Sequence, residues 1–275
     1  MTDRYAVIGN PIAQSKSPTI HLGFAQLAGH ALRYERIEGP LGQFKATADA
    51  FRAAGGLGLN VTVPFKLDAL AYATDASVAA QQCGAANALK FDGDRVWAEN
   101  FDGVGLTRDV VHNMQRPIKN KRVLILGAGG ATRGMLLPFL NEQPDMLVVA
   151  NRDVDKARAL ARLASPYGKI EGCGYGDLGN EAFDLVFNAT SASLFGESLP
   201  IASSVFRSDA LAYDLAYGKG LTPFLKQAQA AGVRNIADGV GMLVEQAAEA
   251  FVWWRGVRPP TADMIQQMSV PLVES

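Results

Sequence analysis

The sequence predicts an α/β protein that is built from two domains. Short runs rich in β-branched and aromatic residues alternate with stretches of helical periodicity from end to end, a pattern typical of mostly parallel sheets. Near the middle, the continuously apolar run "RVLIL" leads into the glycine-rich turn "GAGGA" and then into a helix. This order of strand, turn and helix predicts a Rossmann-type nucleotide-binding domain at that point.

The composition is that of a globular protein without an electrostatic preference for polyanions. Of the 275 residues, 48% are apolar and 19% are charged, and the net charge is −1. This balance gives no reason to expect nucleic acid or an anionic membrane surface as a partner. No apolar run suits a signal peptide or a membrane span, so we expect a cytoplasmic protein. The sequence does not determine the oligomeric state, for which we expect a monomer or a homodimer. Cys83 and Cys173 fit no metal or redox spacing, and we predict no metal site.

Several elements of the first domain can be predicted from local patterns. "YAVIG" is predicted as the first strand, and "SPTIHLGFAQLAG" as a helix with Ser17 as N-cap, Pro18 at its first position and Gly29 closing it. Two further strands are predicted in "LRYERIE" and "GLNVTV". "NALKFDGDRVWAEN" is a predicted hairpin with Asp92-Gly93 at its turn.

The domain boundaries follow from a change of character along the chain. The polar join "HNMQRPIKNK" precedes the nucleotide-binding pattern, in which "MLVVANR", "FDLVFNAT" and "ALAYDLAY" are further apolar strands. The last long segment is amphipathic at helical spacing from Leu243 to Trp254, and we expect it to pack on the first domain. We therefore predict a discontinuous first domain, residues 1–103 plus 238–275, and a Rossmann-type domain, residues 104–237.

The glycine turn is the predicted phosphate site. Gly127, Gly129 and Gly130 allow a tight turn and a close approach of the backbone to a pyrophosphate, which would lie at the N-terminus of the next helix. Ala128 and Ala131 complete the turn. Glycines also mark ordinary turns, so the prediction depends on the strand before the turn and the helix after it.

The end of the next strand predicts which dinucleotide binds. A protein that binds NAD usually has an acidic residue there, which holds the ribose 2′-hydroxyl. This chain has Asn151 instead, and Arg152 with Lys156 offers positive charge for a 2′-phosphate. Asp153 is an unfavourable charge near a phosphate, and it is also the expected N-cap of the following helix. We favour NADP over NAD.

The stretch "GLNVTVPFK" combines a buried strand with polar residues. Leu59, Val61 and Val63 alternate along one face, whereas Asn60 and Thr62 point to the other. The lysine that ends the stretch is costly to desolvate unless it has a partner or a chemical task. We interpret the polar face and the lysine as one side of a ligand cleft.

Nine motifs follow one another along nearly the whole chain. They are "GNPIAQSKSP", "NVTVPFK", "GAANAL", "NFDGVG", "GAGGATRG", "NRDVDKA", "NATS", "YDLAYGKGLTPFL" and "DGVGMLVEQAA". In their order and spacing these motifs resemble the shikimate dehydrogenase family. The resemblance implies a two-domain enzyme that interconverts shikimate and 3-dehydroshikimate with NADP, in the route to aromatic amino acids.

The resemblance also implies roles for individual residues of this sequence. Lys66 matches the family's catalytic lysine, and Asp102 matches its acidic partner. The positions expected to contact the substrate, with the serine pair at its carboxylate, are Ser15, Ser17, Asn60, Thr62, Asn87, Tyr217 and Gln246. The positions expected to bind the cofactor are Gly127, Ala128, Gly129, Gly130, Ala131, Asn151, Arg152, Lys156, Thr190, Leu215, Gly239 and Met242.

The chemistry explains why a lysine and an aspartate would be paired. Oxidation of a secondary alcohol requires hydride transfer to the nicotinamide and loss of the hydroxyl proton. Desolvation would lower the pKa of Lys66 and the Asp102 carboxylate would raise it, so we assign the proton to the pair as one coupled unit. A structural salt bridge is the alternative. His21, His30 and His112 show no nucleophile or metal spacing and are predicted to be structural or surface residues.

Two positions depart from the family pattern. Phe101 and Ala88 each stand where the family usually has threonine, and the loss of one hydroxyl contact costs about 0.5–1.5 kcal/mol. We therefore hold three hypotheses open. The first is an NADP-dependent shikimate dehydrogenase with weakened affinity for shikimate. The second is a dehydrogenase of quinate or a related cyclic hydroxy acid, and the third is a non-catalytic regulator that senses a dinucleotide and a metabolite.

Overall fold

A computed structural model of the chain describes residues 2–273, which form two compact units. The first unit contains residues 2–105 and Val244–Met264, and the second contains Leu106–Leu243 and residues 265–273. The chain therefore crosses between units at 105/106, 243/244 and 264/265. The domain boundaries at 103/104 and 237/238 stay a prediction, since these units are defined by contacts alone.

The first unit is built on a mixed six-stranded sheet. Its strand order is β2-β1-β3-β5-β6-β4, in which β1 is parallel to β2 and β3 while β5 is antiparallel to β3 and β6. The strands are β1 (Asp3–Gly9), β2 (Leu32–Glu38), β3 (Gly56–Val61), β4 (Asp75–Ala76), β5 (Ala88–Asp92) and β6 (Arg95–Glu99). The helices that begin in this unit are α1 (Ser17–Ala28), α2 (Phe44–Ala53), α3 (Lys66–Tyr72), α4 (Val78–Cys83) and α5 (Asp102–Arg108).

The second unit is built on a parallel six-stranded sheet of Rossmann order. The order β12-β11-β10-β7-β8-β9 places the first strand of this unit in the middle, and every neighbouring pair is parallel. The strands are β7 (Arg122–Leu126), β8 (Met146–Ala150), β9 (Ile170–Cys173), β10 (Phe183–Asn188), β11 (Phe206–Asp214) and β12 (Asn235–Asp238). The helices that begin here are α6 (Gly130–Asn141), α7 (Val154–Ala164), α8 (Pro223–Ala230) and α9 (Val240–Arg255), and α10 (Ala262–Met268) follows α9.

The continuous apolar runs of the second unit are explained by burial on both sheet faces. In β7, Val123 and Ile125 pack into one core cluster, whereas Leu124 and Leu126 pack into the other. A parallel strand that is covered by helices on both faces has no polar side, so its sequence shows no alternation. The predicted α/β class and the Rossmann-type unit are confirmed.

The two faces of the first sheet carry different cores. Ala6 and Ile8 of β1 face an aliphatic and phenylalanine cluster, while Tyr5 and Val7 face the other side. On that second side the ring of Trp254 in α9 stacks on Tyr5 with centroids 4.7 Å apart. The predicted packing of the amphipathic segment on the first part of the chain is therefore present within this unit.

The predicted hairpin is present, but its turn lies one residue later than predicted. β5 and β6 pair antiparallel and Asp92 lies opposite Arg95, so the two turn residues are Gly93 and Asp94 in place of Asp92 and Gly93, with Gly93 at φ 56°. Gly29 ends α1 in the left-handed conformation, at φ 67°.

The prediction that Ser17 is the N-cap of α1 is wrong. Lys16 holds the cap position without a side-chain cap bond, and Ser17 is the first helical residue. The hydroxyl of Ser15 instead accepts a hydrogen bond from the Ser17 backbone N–H at 3.3 Å. The capping task thus falls to the serine two residues earlier, because the chain is already helical at Lys16.

The prediction that Val63 continues the buried face of β3 is also wrong. β3 ends at Val61, and Val63 is 69% exposed in the turn that follows. The backbone N–H of Phe65 bonds to the Thr62 carbonyl, which closes that turn and directs the Phe65 ring into the core, where it is 1% exposed. Phe65 takes the buried position that alternation assigned to Val63.

No helix within residues 2–273 has both the length and the hydropathy that a membrane span requires.

The exchange of roles between Val63 and Phe65 can be tested by stability. Phe65→Ala removes a fully buried ring and should lower the free energy of unfolding by about 3–5 kcal/mol. Val63→Ala removes an exposed side chain, so its effect should stay within about 0.5 kcal/mol. Urea unfolding followed by circular dichroism measures both variants. An equal loss in the two variants would contradict this turn geometry.

Candidate active site

A lysine and an aspartate that are distant in sequence meet in the first unit. Lys66 is the first residue of α3 and Asp102 is the first residue of α5, and both follow sheet strands directly or through a short turn. The Nζ atom of Lys66 lies 2.5 Å from Oδ2 of Asp102. Their side chains keep 31% and 17% exposure, so the pair is partly desolvated and still open to a ligand.

The Asn87 side chain holds the second oxygen of the aspartate. Its Nδ2 group donates to Oδ1 of Asp102 at 2.8 Å and to Oε1 of Gln246 at 3.2 Å. Its Oδ1 atom accepts the backbone N–H of Phe101 at 2.9 Å, which defines the orientation of the amide. Each oxygen of Asp102 therefore has a different partner, and the carboxylate is held in one orientation.

Asn100 is a positioning residue that the sequence analysis missed. It is 5% exposed, its Nδ2 group donates to the Ala85 carbonyl at 2.9 Å, and its Oδ1 atom accepts the backbone N–H of Asp102 at 3.1 Å. It thereby satisfies a first-turn N–H of α5 and fixes the start of that helix. The available indication was an asparagine immediately after a buried strand, two residues before the catalytic candidate.

Gln246 reaches Asn87 because α5 and α9 approach each other closely. A Cβ atom at Gly105 would lie 2.5 Å from the backbone nitrogen of Gln246, so only glycine permits this contact. Asn87 and Gln246, which were predicted to surround the substrate ring, thus lie beside the Lys66–Asp102 pair within the first unit.

The serine pair lies at the start of α1. The Ser15 hydroxyl is 3.3 Å from the Ser17 hydroxyl, and the side chain of Arg36 donates to the Ser15 carbonyl at 2.6 and 3.0 Å. Arg36 was not identified from the sequence. It fixes the backbone conformation that presents both hydroxyls beside the positive end of a helix, an arrangement that suits an anion.

Asn60 lies on the face of β3 opposite Leu59 and Val61, as alternation predicted, whereas Thr62 follows the end of the strand and its predicted face stays a prediction. Asn60 is 6% exposed and its Oδ1 atom accepts a hydrogen bond from the Tyr34 hydroxyl at 2.6 Å. Thr62 is half-buried, and its backbone N–H bonds to the Ile8 carbonyl.

The aromatic ring before the aspartate packs against α9. Phe101 meets Trp253 edge to face, with ring centroids 5.7 Å apart. Ala88, the second departure from the family pattern, is fully buried at the start of β5. Neither position supplies a hydroxyl to the space around the Lys66–Asp102 pair.

The glycine turn of the second unit has the geometry that a phosphate requires. Gly127 has φ 106°, and its carbonyl accepts the buried Thr132 hydroxyl at 2.8 Å, which ties the turn to α6. Gly129 and Gly130 are exposed, and a Cβ atom at either would meet no atom within 4 Å, which leaves space for a ligand beside them. Of the other predicted positions, Ala128 lies in the turn and Ala131 is the second residue of α6.

The two cations after β8 differ in their surroundings. Asp153 is the N-cap of α7, and its carboxylate also lies 3.6 Å from Nζ of Lys156. Arg152 is exposed, and within residues 2–273 no carboxylate lies at ion-pair distance from it. The Asn151 side chain donates to the Asp153 carbonyl at 2.9 Å. Arg152 is therefore the better-placed cation for a phosphate.

A buried carboxylate organises the loops after β10 and β11. Asp214 is fully buried and accepts hydrogen bonds from the Ser193 and Thr222 hydroxyls at 2.6 Å, and from Asn188 Nδ2 and the Ala216 backbone at 3.1 Å. Four donors compensate for the loss of hydration. This cluster was not predicted, although both strands end in a polar residue.

The same cluster supports two of the predicted cofactor positions. Thr190 donates to Oδ1 of Asn188 through its backbone N–H at 3.0 Å and its hydroxyl at 2.7 Å. Leu215 donates its backbone N–H to the Asn188 carbonyl at 3.0 Å. Both residues lie at the carboxyl edge of the parallel sheet, where ligands of such folds bind.

The start of α9 carries the remaining cofactor positions. Gly239 packs so closely on Leu215 that a Cβ atom would lie 2.3 Å from the Leu215 carbonyl oxygen. The backbone N–H of Met242 donates to the Tyr213 hydroxyl at 3.2 Å. Tyr217 also belongs to the second unit, 44% exposed, and its contact with a substrate stays a prediction.

These features define a class of protein. A Rossmann-ordered unit with an open glycine turn, in a chain whose other unit presents a lysine–aspartate pair, is typical of a dinucleotide-dependent oxidoreductase.

Comparison with known proteins identifies the family. Residues 7–89 match the shikimate dehydrogenase substrate binding domain, residues 109–238 match shikimate / quinate 5-dehydrogenase, and residues 239–268 match the shikimate 5′-dehydrogenase C-terminal domain. The chain belongs to the shikimate dehydrogenase family.

Individual relatives cover nearly the whole chain. Shikimate dehydrogenase (NADP(+)) of Aromatoleum aromaticum is 51% identical over 96% of this chain and 95% of its own, and that of Chromobacterium violaceum is 52% identical over 95% and 96%. Among solved structures, an Ael1 enzyme from Pseudomonas putida is 53% identical over 99% of this chain and 100% of its own, with a TM-score of 0.94. Shikimate 5-dehydrogenase from Thermus thermophilus, in complex with NADP(H) and shikimate, is 30% identical over 96% and 98%, with a TM-score of 0.85.

The role of the buried carboxylate can be tested with one substitution. Asp214→Asn replaces an acceptor oxygen by an NH2 group that faces hydroxyl or amide donors, so it should lower the free energy of unfolding by about 2–3 kcal/mol. Asp153→Asn is the matched control, because asparagine caps helices as well as aspartate and the site is exposed, and its effect should stay within about 0.5 kcal/mol. Urea unfolding measures the free energy of unfolding of both variants. If Asp214→Asn loses no more stability than the Asp153→Asn control, the buried cluster does not stabilise the fold.

Proposed function

We propose that this chain interconverts shikimate and 3-dehydroshikimate with NADP, in the route to aromatic amino acids. The observation that carries the proposal is the 2.5 Å contact between Lys66 Nζ and Asp102 Oδ2, with the Asn87 amide on the other carboxylate oxygen. Relatives about half identical over nearly the full chain are named for this reaction, which supports the same assignment.

The pair would handle the proton of the reacting hydroxyl. Bound NADP supplies the hydride acceptor, so the protein must take the hydroxyl proton in oxidation and return it in reduction. Lys66 and Asp102 are in direct contact, so a proton can pass between them without large movement, and they act as one proton-transfer unit. The hydrogen bond from Asn87 prevents the carboxylate from rotating away.

The surrounding polar groups fit a polyhydroxylated acid. Ser15 and Ser17 at the start of α1 suit its carboxylate. The side chains of Asn60, Thr62 and Gln246 offer donors and acceptors for the ring hydroxyls, as Asn87 does beside the proton-transfer pair. We also assign Tyr217 to the substrate, on the resemblance alone.

The cofactor assignment rests on the open turn and one cation. Gly129 and Gly130 are exposed and leave space for a pyrophosphate, and no described carboxylate lies at ion-pair distance from Arg152. Asn151 in place of an acidic residue leaves room for a 2′-phosphate, and Lys156 is a secondary contributor because Asp153 already neutralises it. Thr190, Leu215, Gly239 and Met242 would border the nicotinamide end.

Quinate is a second candidate substrate. Phe101 packs on Trp253 and Ala88 is a methyl group, so two hydroxyls expected around shikimate are missing. The matched family description includes quinate as well as shikimate. The two candidate substrates are ranked by measuring turnover of shikimate and of quinate, each with NADP and with NAD, at the absorbance of the reduced nicotinamide. If neither acid is turned over, the enzymatic function is refuted.

The cytoplasmic location and the monomeric or homodimeric state of the protein stay predictions.

Replacement of Lys66 tests the proton-transfer pair. Lys66→Met keeps the length of the side chain but removes its charge and protons, so kcat should fall about 10²- to 10⁴-fold while the Kd for NADP stays unchanged. Lys45→Met is the matched control, since the Lys45–Asp49 pair is an exposed ion pair on α2, and it should keep full activity. Retained turnover in Lys66→Met would exclude Lys66 from catalysis.

Replacement of Arg152 tests the origin of cofactor selectivity. Arg152→Ala should raise the KM for NADP about 10- to 100-fold, which corresponds to the loss of one charge-assisted contact, and should leave the KM for NAD unchanged. Lys156→Ala should have a smaller effect. Arg158 is an exposed arginine on α7, the helix that follows Arg152. Arg158→Ala therefore serves as the control for the loss of one positive charge in this region. Equal effects of Arg152→Ala on both cofactors would contradict the 2′-phosphate assignment.

A further inference from the structure

Asn60 is a polar side chain in a buried part of the first sheet. Its neighbours Leu59 and Val61 point into the core on one side of β3, and Asn60 points to the opposite side, where Tyr5 and Val7 pack. Only 6% of Asn60 is exposed. A buried amide without partners is strongly unfavourable, so the contacts of Asn60 determine whether it can present a defined group to a ligand.

The strongest of these contacts is the one with Tyr34. The Tyr34 hydroxyl donates to Oδ1 of Asn60 at 2.6 Å, whereas Nδ2 of Asn60 has a long contact of 3.4 Å with the Asn87 carbonyl. The oxygen end of the amide is therefore held firmly and the nitrogen end is held loosely. A ligand that meets Nδ2 meets a hydrogen-bond donor.

Tyr34 reaches Asn60 across a whole strand. In the sheet register, Tyr34 of β2 lies beside Tyr5 of β1, and Val7 of β1 lies beside Asn60 of β3. The phenol ring extends over β1 to place its hydroxyl on the amide. A shorter side chain at this position of β2 could not make the contact, because two strand spacings of about 4.8 Å separate β2 from β3.

A stack of rings fixes the direction of the phenol. The imidazole of His21 lies parallel to the Tyr34 ring, with an interplanar angle of 7° and centroids 4.4 Å apart. On its other sides His21 meets Phe251 and Trp254 of α9. Burial lowers the pKa of His21 to about 3, so the ring is neutral near neutral pH.

The Tyr34 hydroxyl is itself buried. Burial raises the pKa of this hydroxyl well above its usual value. The phenol is therefore protonated near neutral pH and keeps the proton that it donates to Asn60.

We infer that Tyr34, held in place by the His21 ring, is a positioning residue that sets the orientation of the Asn60 amide toward the substrate. Tyr34 is 7% exposed and acts through the Asn60 side chain. The inference rests on the proposed function, because it assigns Asn60 to a cyclic hydroxy acid. It predicts that the site prefers ligands that place an oxygen acceptor opposite the Asn60 amide nitrogen.

The decisive variant is Tyr34→Phe, which deletes one oxygen and keeps the ring stack. Without the hydroxyl the Asn60 amide can rotate, so the KM for shikimate should rise about 5- to 30-fold. The kcat should change less than about threefold and the KM for NADP should not change, because the Lys66–Asp102 pair and the second unit are untouched. A purely structural role would lower the melting temperature without this separation of KM from kcat.

Tyr72→Phe is the matched control in the same unit. The Tyr72 hydroxyl also donates a 2.6 Å hydrogen bond to a side chain, that of Asp49, but Tyr72 packs against the core on the other side of the sheet. Loss of that hydroxyl should leave all kinetic constants unchanged. A rise in the KM for shikimate in both variants would overturn the specific role of Tyr34.

The stacking role of His21 is tested by rescue. His21→Phe retains a flat ring against Tyr34 and should keep the KM for shikimate within about twofold of the parent value. His21→Ala removes the ring and should raise this KM as Tyr34→Phe does. If His21→Phe raises the KM as much as His21→Ala, the stack is not the relevant property and this part of the inference fails.

A measurement without substrate separates this inference from the proposed function. The side-chain amide resonances of Asn60, assigned by their absence in Asn60→Ser, should shift in Tyr34→Phe and not in Tyr72→Phe. If the parent protein does not turn over shikimate, the proposed function is wrong and these resonances still decide the positioning. An unchanged KM in Tyr34→Phe with an active parent enzyme, or unchanged resonances, overturns the inference.

Discussion

The contact between Lys66 and Asp102 is the constraint on which the candidate site depends. The two residues are 36 positions apart, and each begins a helix whose direction is set by the strand before it. A partly exposed ion pair adds little stability by itself, because water competes with it and two side chains must be ordered. Its geometry is therefore maintained by other groups. Asn87 holds the Asp102 carboxylate through a hydrogen bond of 2.8 Å, and Asn100 holds the start of α5 through one of 3.1 Å.

Much of the fold could be predicted from the sequence because local chemistry decides it. The strands of the second unit are buried on both faces and are therefore continuously apolar, and the glycine turn after β7 has an unmistakable context. The errors concern Val63 and Ser17, where local alternation and capping rules favoured the wrong residue. At Val63 the turn closed by Phe65 and the core that accepts its ring decide the outcome, and neither is visible in the local pattern.

The site, too, was predicted only in part, because some of its residues are recognisable from short motifs and others depend on contacts between distant segments. Lys66 could be recognised as a lysine at the end of an apolar strand, Asp102 was identified through the family resemblance, and the structure brings the two together. The supporting residues Asn100 and Arg36 were missed, because a buried asparagine and an exposed arginine carry no task that a short motif describes. Arg36 acts on a segment 21 residues away. One usable indication was present: an asparagine or aspartate at the end of an apolar strand, as in Asn188 and Asp214, predicts a buried polar cluster where such strands are neighbours.

Both units use a buried asparagine near the end of a central strand, and the amide chemistry explains this choice. In the first unit, Asn60 accepts a hydrogen bond from the Tyr34 hydroxyl. In the second unit, Asn188 accepts from Thr190 and donates to the Asp214 carboxylate, so it joins the two segments. An amide offers an acceptor and two donors without a charge, so it can connect two segments at a smaller desolvation cost than an ion. A carboxylate in place of Asn60 would accept from Tyr34 equally well, but it would present only acceptors to the ligand, and it would repel an anionic substrate. The amide is therefore the group that can hold the fold and still offer a donor to a hydroxy acid.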